Sequence, residues 1–70
     1  MIIKVNSTPE YRITLKLNVD LPEKKIEIIA ELYGLKNGKK RTEYFNGNEL
    51  ERAIAQYEVW ERIMMEEKEW

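Results

Sequence analysis

Between Tyr11 and Val19 every second residue is apolar: Tyr11, Ile13, Leu15, Leu17 and Val19 alternate with Arg12, Thr14, Lys16 and Asn18. An extended strand gathers such a set onto one side, because its side chains point alternately to its two faces. From Leu50 the period changes. Leu50, Ala53, Ile54, Tyr57, Trp60 and Met64 recur at helical spacing and form a single stripe on an α-helix. A half-buried strand and a one-sided helix predict a small sheet with a helix laid across it.

The segments between them complete the layer. Lys25 to Tyr33 reads as a second strand, with Ile26, Ile28, Ala30 and Leu32 on one face and Glu27, Ile29, Glu31 and Tyr33 on the other. Asp20-Leu21-Pro22-Glu23-Lys24 separates it from the first. Asn37-Gly38, flanked by lysines, is a hairpin signal, because both residues tolerate positive φ. The returning strand is then 39–45. Two registers are open: a two-residue turn sets Phe45 opposite Ala30 and into the core, whereas a glycine-bulge loop sets Tyr44 there and turns Phe45 outward. Two helix starts also compete, Asn46 with Glu49 and Asn48 with Glu51, each a capping box.

These elements predict an α+β fold on a single domain, 1–70: a three-stranded antiparallel meander (strands 11–19, 25–33 and 39–45), four-stranded where residues 2–5 pair as an edge, followed by one C-terminal helix, 48–67, packed on one face. Nine strand residues span roughly 30 Å and about twenty helical residues the same, so the helix is expected to cover the sheet end to end. The predicted core is Ile13, Leu15, Leu17, Ile26, Ile28, Leu32, Leu50, Ile54, Tyr57, Trp60 and Met64.

Composition removes whole classes of chemistry. There is no cysteine and no histidine, so thiolate and imidazole are missing both as metal ligands and as catalytic groups. The single aspartate, Asp20, heads no calcium loop. The single serine, Ser7, has no activating partner. The paired carboxylates Glu66, Glu67 and Glu69 read as solvated helix residues crowding a C-terminus that prefers cations. The chain is therefore expected to be no enzyme, with no cofactor and no metal site. The start Met-Ile-Ile-Lys-Val is too short for a signal peptide and no apolar run has spanning length, so a cytoplasmic location without a membrane is expected. Seventy residues support only a small core, which favours good packing or a partner subunit.

Three surfaces remain as candidates. Lys36, Lys39, Lys40 and Arg41 form a basic patch at the hairpin, and residues 1–46 carry nine Lys/Arg against six Asp/Glu. Residues 47–70 carry three against seven, and the pI is near 5.5. Glutamates interrupt the same sheet and no RNA-binding signature is present, so nucleic acid is the weaker reading and lysines beside a turn read as edge protection. Val59 and Ile63, with Trp70, are expected on the helix's outer side. Ile29 and Tyr33, with Tyr44 or Phe45, are expected on the sheet face that no second helix covers, where apolar residues suggest dimerisation or partner docking. No small-molecule site is evident.

The general look, a short charged chain with a meander and a terminal helix, is similar to small phage or accessory proteins that bind and block a larger host factor. It is equally similar to a designed scaffold with no natural ligand, given the strict alternation and the Lys-Asn-Gly-Lys-type turn. The expected function is a non-enzymatic protein-binding module, an inhibitor or adaptor, acting through the open sheet face on a protein partner or a second copy of itself.

Overall fold

The computed structural model describes residues 1–66. Five elements follow one another: β1 (Ile2–Ser7), β2 (Tyr11–Asp20), β3 (Lys25–Gly34), β4 (Lys40–Asn46) and α1 (Leu50–Met65). The strands form one antiparallel sheet in the order β1-β2-β3-β4, with the helix across one face. The expected α+β meander is the one observed, in its four-stranded form. β1 joins as an edge strand, and a bulge near Ile3 shifts its register between Ile2 and Lys4.

The β2–β3 ladder is continuous from Tyr11↔Gly34 to Asp20↔Lys25. It places Ile13, Leu15 and Leu17 across from Leu32, Ala30 and Ile28 on the helix side. Ala53, Tyr57, Trp60 and Met64 close over them, and Tyr11 completes the buried set. Leu17, Phe45, Ile54 and Ile63 pack around its margin. Ala30 and Ala53 are fully buried, and neither belonged to the expected core. Both stand on the faces their periodicity assigns them, and small side chains at a sheet–helix contact let the two backbones approach.

Two expected core residues lie outside it. Ile26 is 51% exposed and Leu50 43% exposed. The reason is where the helix begins and how far it runs. The described helix has 16 residues and so runs about 24 Å, whereas each ten-residue strand of the central hairpin runs about 33 Å. The β2–β3 tip therefore projects beyond the helix, and Val19, Leu21 and Ile26 are exposed there. Gly47 fixes where the helix begins. Its N–H donates to the Ile26 carbonyl at 3.0 Å, and a Cβ added at Gly47 would lie 2.9 Å from the Ile26 side chain.

The helix starts at Leu50 rather than at 48. Of the two capping frames, half of the first forms: the Glu49 carboxylate accepts the Asn46 N–H at 3.0 Å, and the Glu49 N–H donates to the Asn46 carbonyl at 2.9 Å. That bond first, and Arg52 second, hold the Glu49 carboxyl below its ordinary value. The last residue of the expected helix, Glu67, and the expected positions of Glu69 and Trp70 lie outside the described residues.

The β3–β4 register differs from both alternatives. Glu43, not an aromatic residue, stands opposite Ala30, and Phe45 stands opposite Ile28. A five-residue connection, 35–39, causes the shift. The Gly34 N–H donates to the Lys39 carbonyl and the Gly38 N–H to the Gly34 carbonyl, while the Asn37 side chain accepts the Lys39 N–H. Only Gly38 in this loop takes positive φ, at 71°, so Asn37-Gly38 is part of a longer loop rather than a two-residue turn.

Candidate open sheet face

The side of the sheet away from α1 is uncovered among the described residues, and cross-strand pairing orders it into rows. Ser7, Arg12, Tyr33 and Lys40 form one row, and Val5, Thr14, Glu31 and Thr42 the next. Ile2, Lys16, Ile29 and Tyr44 follow, and then Asn18, Glu27 and Asn46. The last row is Asp20 and Lys25, so apolar and aromatic groups are interleaved with four cations, Arg12, Lys16, Lys25 and Lys40. Tyr44 is 64% exposed, and Ile2 and Val5 are each more than half exposed. Ile29 is half-buried.

At the centre sits Glu31, only 4% exposed although no helix covers it. Thr14 and Thr42 stand directly opposite it on the two neighbouring strands. Lys16 and Lys40 occupy diagonal positions that a lysine stem spans easily. Both reach it: Lys16 forms one ion pair and Lys40 a second at 3.3 Å. The Lys40 ammonium also lies 5.0 Å from the centroid of the Tyr33 ring. The Lys16 contact is the largest influence holding the Glu31 carboxyl below its ordinary value, against the opposing effect of burial; Lys40 and Tyr33 add to the lowering. Tyr33 first and Glu31 second raise the Lys40 ammonium above its ordinary value.

A carboxyl with a depressed folded-state pKa adds stability above its unfolded value, near 4.5, and that contribution fades as the pH falls through the folded-state pKa. Glu31→Gln is expected to lower stability by about 1 kcal/mol at neutral pH, a modest figure because both lysines are partly solvated. The gap to the parent should close as the solution is acidified well below pH 4.5. Urea unfolding at neutral and acidic pH measures it; an equal penalty at both would show that charge is not what Glu31 contributes.

The expected site residues separate between faces. Ile29, Tyr33 and Tyr44 share the open face as expected. Phe45 does not. The five-residue loop sets it on the helix side, where it is half-buried against the core. Ile63 is also corrected: the buried stripe centres on Ala53, Tyr57, Trp60 and Met64, so Ile63 falls on its flank and packs against the core rather than facing outward. Val59 is 50% exposed and lines a shallow groove of about 280 Å³ with Phe45, Arg52, Ala55 and Gln56. The basic patch is divided. Lys40 lies on the open face, Arg41 is one position along on the helix side, Lys39 is in the loop, and Lys36 pairs with Glu10 at 3.8 Å.

Sequence reasoning did not find the Glu31 ion-pair centre or the open-face positions of Ile2 and Val5. A register for the β2–β3 hairpin would have revealed the first, since Lys16 opposite Ile29 puts Glu31 on its diagonal. Among the described residues no cluster of three or more Asp, Glu, His or Cys could hold a metal, and no helix is long and apolar enough to cross a membrane. Comparison with known proteins gives no match to a family model, to a curated protein or to a solved structure.

Proposed function

We propose that the chain is a non-enzymatic, cytoplasmic protein-binding module, an inhibitor or adaptor, that docks a partner protein on its open sheet face. One observation carries the reading: among the described residues a four-stranded sheet is roofed on one side only, and the other side presents Ile2, Val5, Ile29, Tyr33 and Tyr44 between charged groups. Aromatic and aliphatic anchors set among polar groups are the composition of binding hot spots. A rigid strand scaffold also presents them with little ordering cost. The face carries Arg12, Lys16, Lys25 and Lys40 against Asp20, Glu27 and Glu31, a small positive excess that favours a partner with an acidic rim.

Nucleic acid is the weaker occupant, because Lys16 and Lys40 are both engaged by Glu31, and Lys25 shares its row with Asp20. The test is the double variant Ile29→Lys/Tyr33→Ser in affinity capture with mass spectrometry. Loss of a partner held by the parent chain is expected. An unchanged set of partners would remove this face as the site, and capture of nucleic acid that weakens steeply with salt would transfer it to the other class.

A further inference from the structure

We infer that two copies of this chain join through the outer edge of β4, in antiparallel register about Thr42, to make a continuous eight-stranded sheet. The backbone fixes which groups are available. The Gly34 N–H bonds the Lys39 carbonyl at one end of the β3–β4 ladder, and the Gly47 N–H bonds the Ile26 carbonyl at the other. Hydrogen-bonded pairs alternate with non-bonded ones in an antiparallel ladder. Arg41, Glu43 and Phe45 therefore direct their N–H and C=O groups toward β3, and Lys40, Thr42, Tyr44 and Asn46 direct theirs outward. The Asn46 N–H is already taken by the Glu49 carboxylate. No strand pairs with this edge among the described residues, which leaves 40–44 as the segment able to accept one.

That segment, Lys-Arg-Thr-Glu-Tyr, is self-complementary. With Thr42 on a two-fold axis, Thr42 meets its own copy, Lys40 meets Tyr44 of the second copy, and Arg41 meets Glu43. The outward groups of Lys40, Thr42 and Tyr44 then form about six backbone hydrogen bonds. Arg41 and Glu43 fall at the non-bonded positions, where side chains approach most closely. The neighbouring registers fail on charge: Glu43 on the axis faces Glu43, and Arg41 on the axis faces Arg41. Opposite charges across strands stabilise a pair and like charges oppose it. The same residues that would protect an edge by charge are here arranged to select one register.

The rest of the molecule fits this occupant. A two-fold axis normal to the sheet sets both helices on one side, so the grooves of Phe45, Arg52, Ala55, Gln56 and Val59 flank the seam. The opposite edge, β1, is bulged near Ile3 and carries one lysine and no acid, so it lacks the complementarity. The open face stays uncovered and doubles in width, so this interface is independent of partner docking there.

Sedimentation equilibrium of the chain over a concentration series tests the inference, with circular dichroism as the check on folding. The parent chain is expected to dimerise. Glu43→Arg, which lines the seam with cations, should weaken the dimer about tenfold or more. The swap Arg41→Glu/Glu43→Arg should restore it. Thr42→Pro removes an outward N–H that serves no bond to β3, and should give a folded monomer. A parent chain that stays monomeric into the millimolar range, or a dimer indifferent to Glu43→Arg, overturns the inference. So does a dimer abolished by Ile29→Lys/Tyr33→Ser, which would put the contact on the open face.

Discussion

Tyr57→Ala is expected to remove most of the stability of the domain. Tyr57 is the largest of the fully buried side chains and packs under the helix against the β2–β3 hairpin. Truncating a buried aromatic ring costs about 3–5 kcal/mol, part in lost transfer energy and part in the cavity left behind. A chain of this size holds about 4–10 kcal/mol in total. The ring also supports the periphery: the Lys4 ammonium lies 5.3 Å from its centroid, which ties β1 to the helix across the core. Burial, and after it the Glu61 carboxylate, raise the Tyr57 phenol above its ordinary value. Tyr57→Phe keeps the ring and the cation contact, and should cost only about 1 kcal/mol. Chemical unfolding of the two variants separates packing from the hydroxyl, and a mild Tyr57→Ala would mean that the helix is not what seals the core.

The second large effect tests where the helix ends its cover. Leu15 and Val19 lie on the same strand and the same face, but Leu15 is fully buried and Val19 is 50% exposed. Leu15→Ala is expected to cost about 2–5 kcal/mol. Val19→Ala, which leaves no cavity, should cost about 1 kcal/mol or less. Alternation treats the two positions as equals, so the contrast measures the helix footprint alone. Similar penalties would show that the β2–β3 tip is covered to the same degree as its base.

That contrast also explains how much of the molecule was legible in the chain. The faces of β2 and β3 followed directly from period two, and the buried helical stripe from Tyr57, Trp60 and Met64 followed from period 3.6. These are properties of neighbouring residues. What failed depends on residues far apart. The offset of β4 is set by five loop residues and the hydrogen bonds of Gly34 and Asn37, so Phe45 and Tyr44 exchanged their expected positions opposite Ala30 for places beside Ile28 and Ile29. The exposure of Ile26 and Leu50 depends on Gly47 meeting Ile26, which starts the helix short of the hairpin tip. Burial of Glu31 needs cations from two different strands, and a one-dimensional charge count cannot register that meeting.

Of the candidate site, Ile29 and Tyr33 could be grouped in advance because both sit at outward positions of β3 whichever way the loop runs, whereas the loop decides between Tyr44 and Phe45. Ile63 could not. Its distance from the buried stripe is a matter of tens of degrees of helix rotation, which tertiary packing of Ala53, Tyr57, Trp60 and Met64 against the sheet fixes.

Strand order here equals chain order, and the helix comes last. During ribosomal synthesis each strand can pair with the one just made, without waiting for a distant segment. The greasy side of the growing sheet nevertheless stays wet until α1, Leu50–Met65, has emerged. The nascent chain thus passes through a sticky interval whose duration is set by translation speed, and a stall before residue 50 would leave a ready-made nucleus for aggregation.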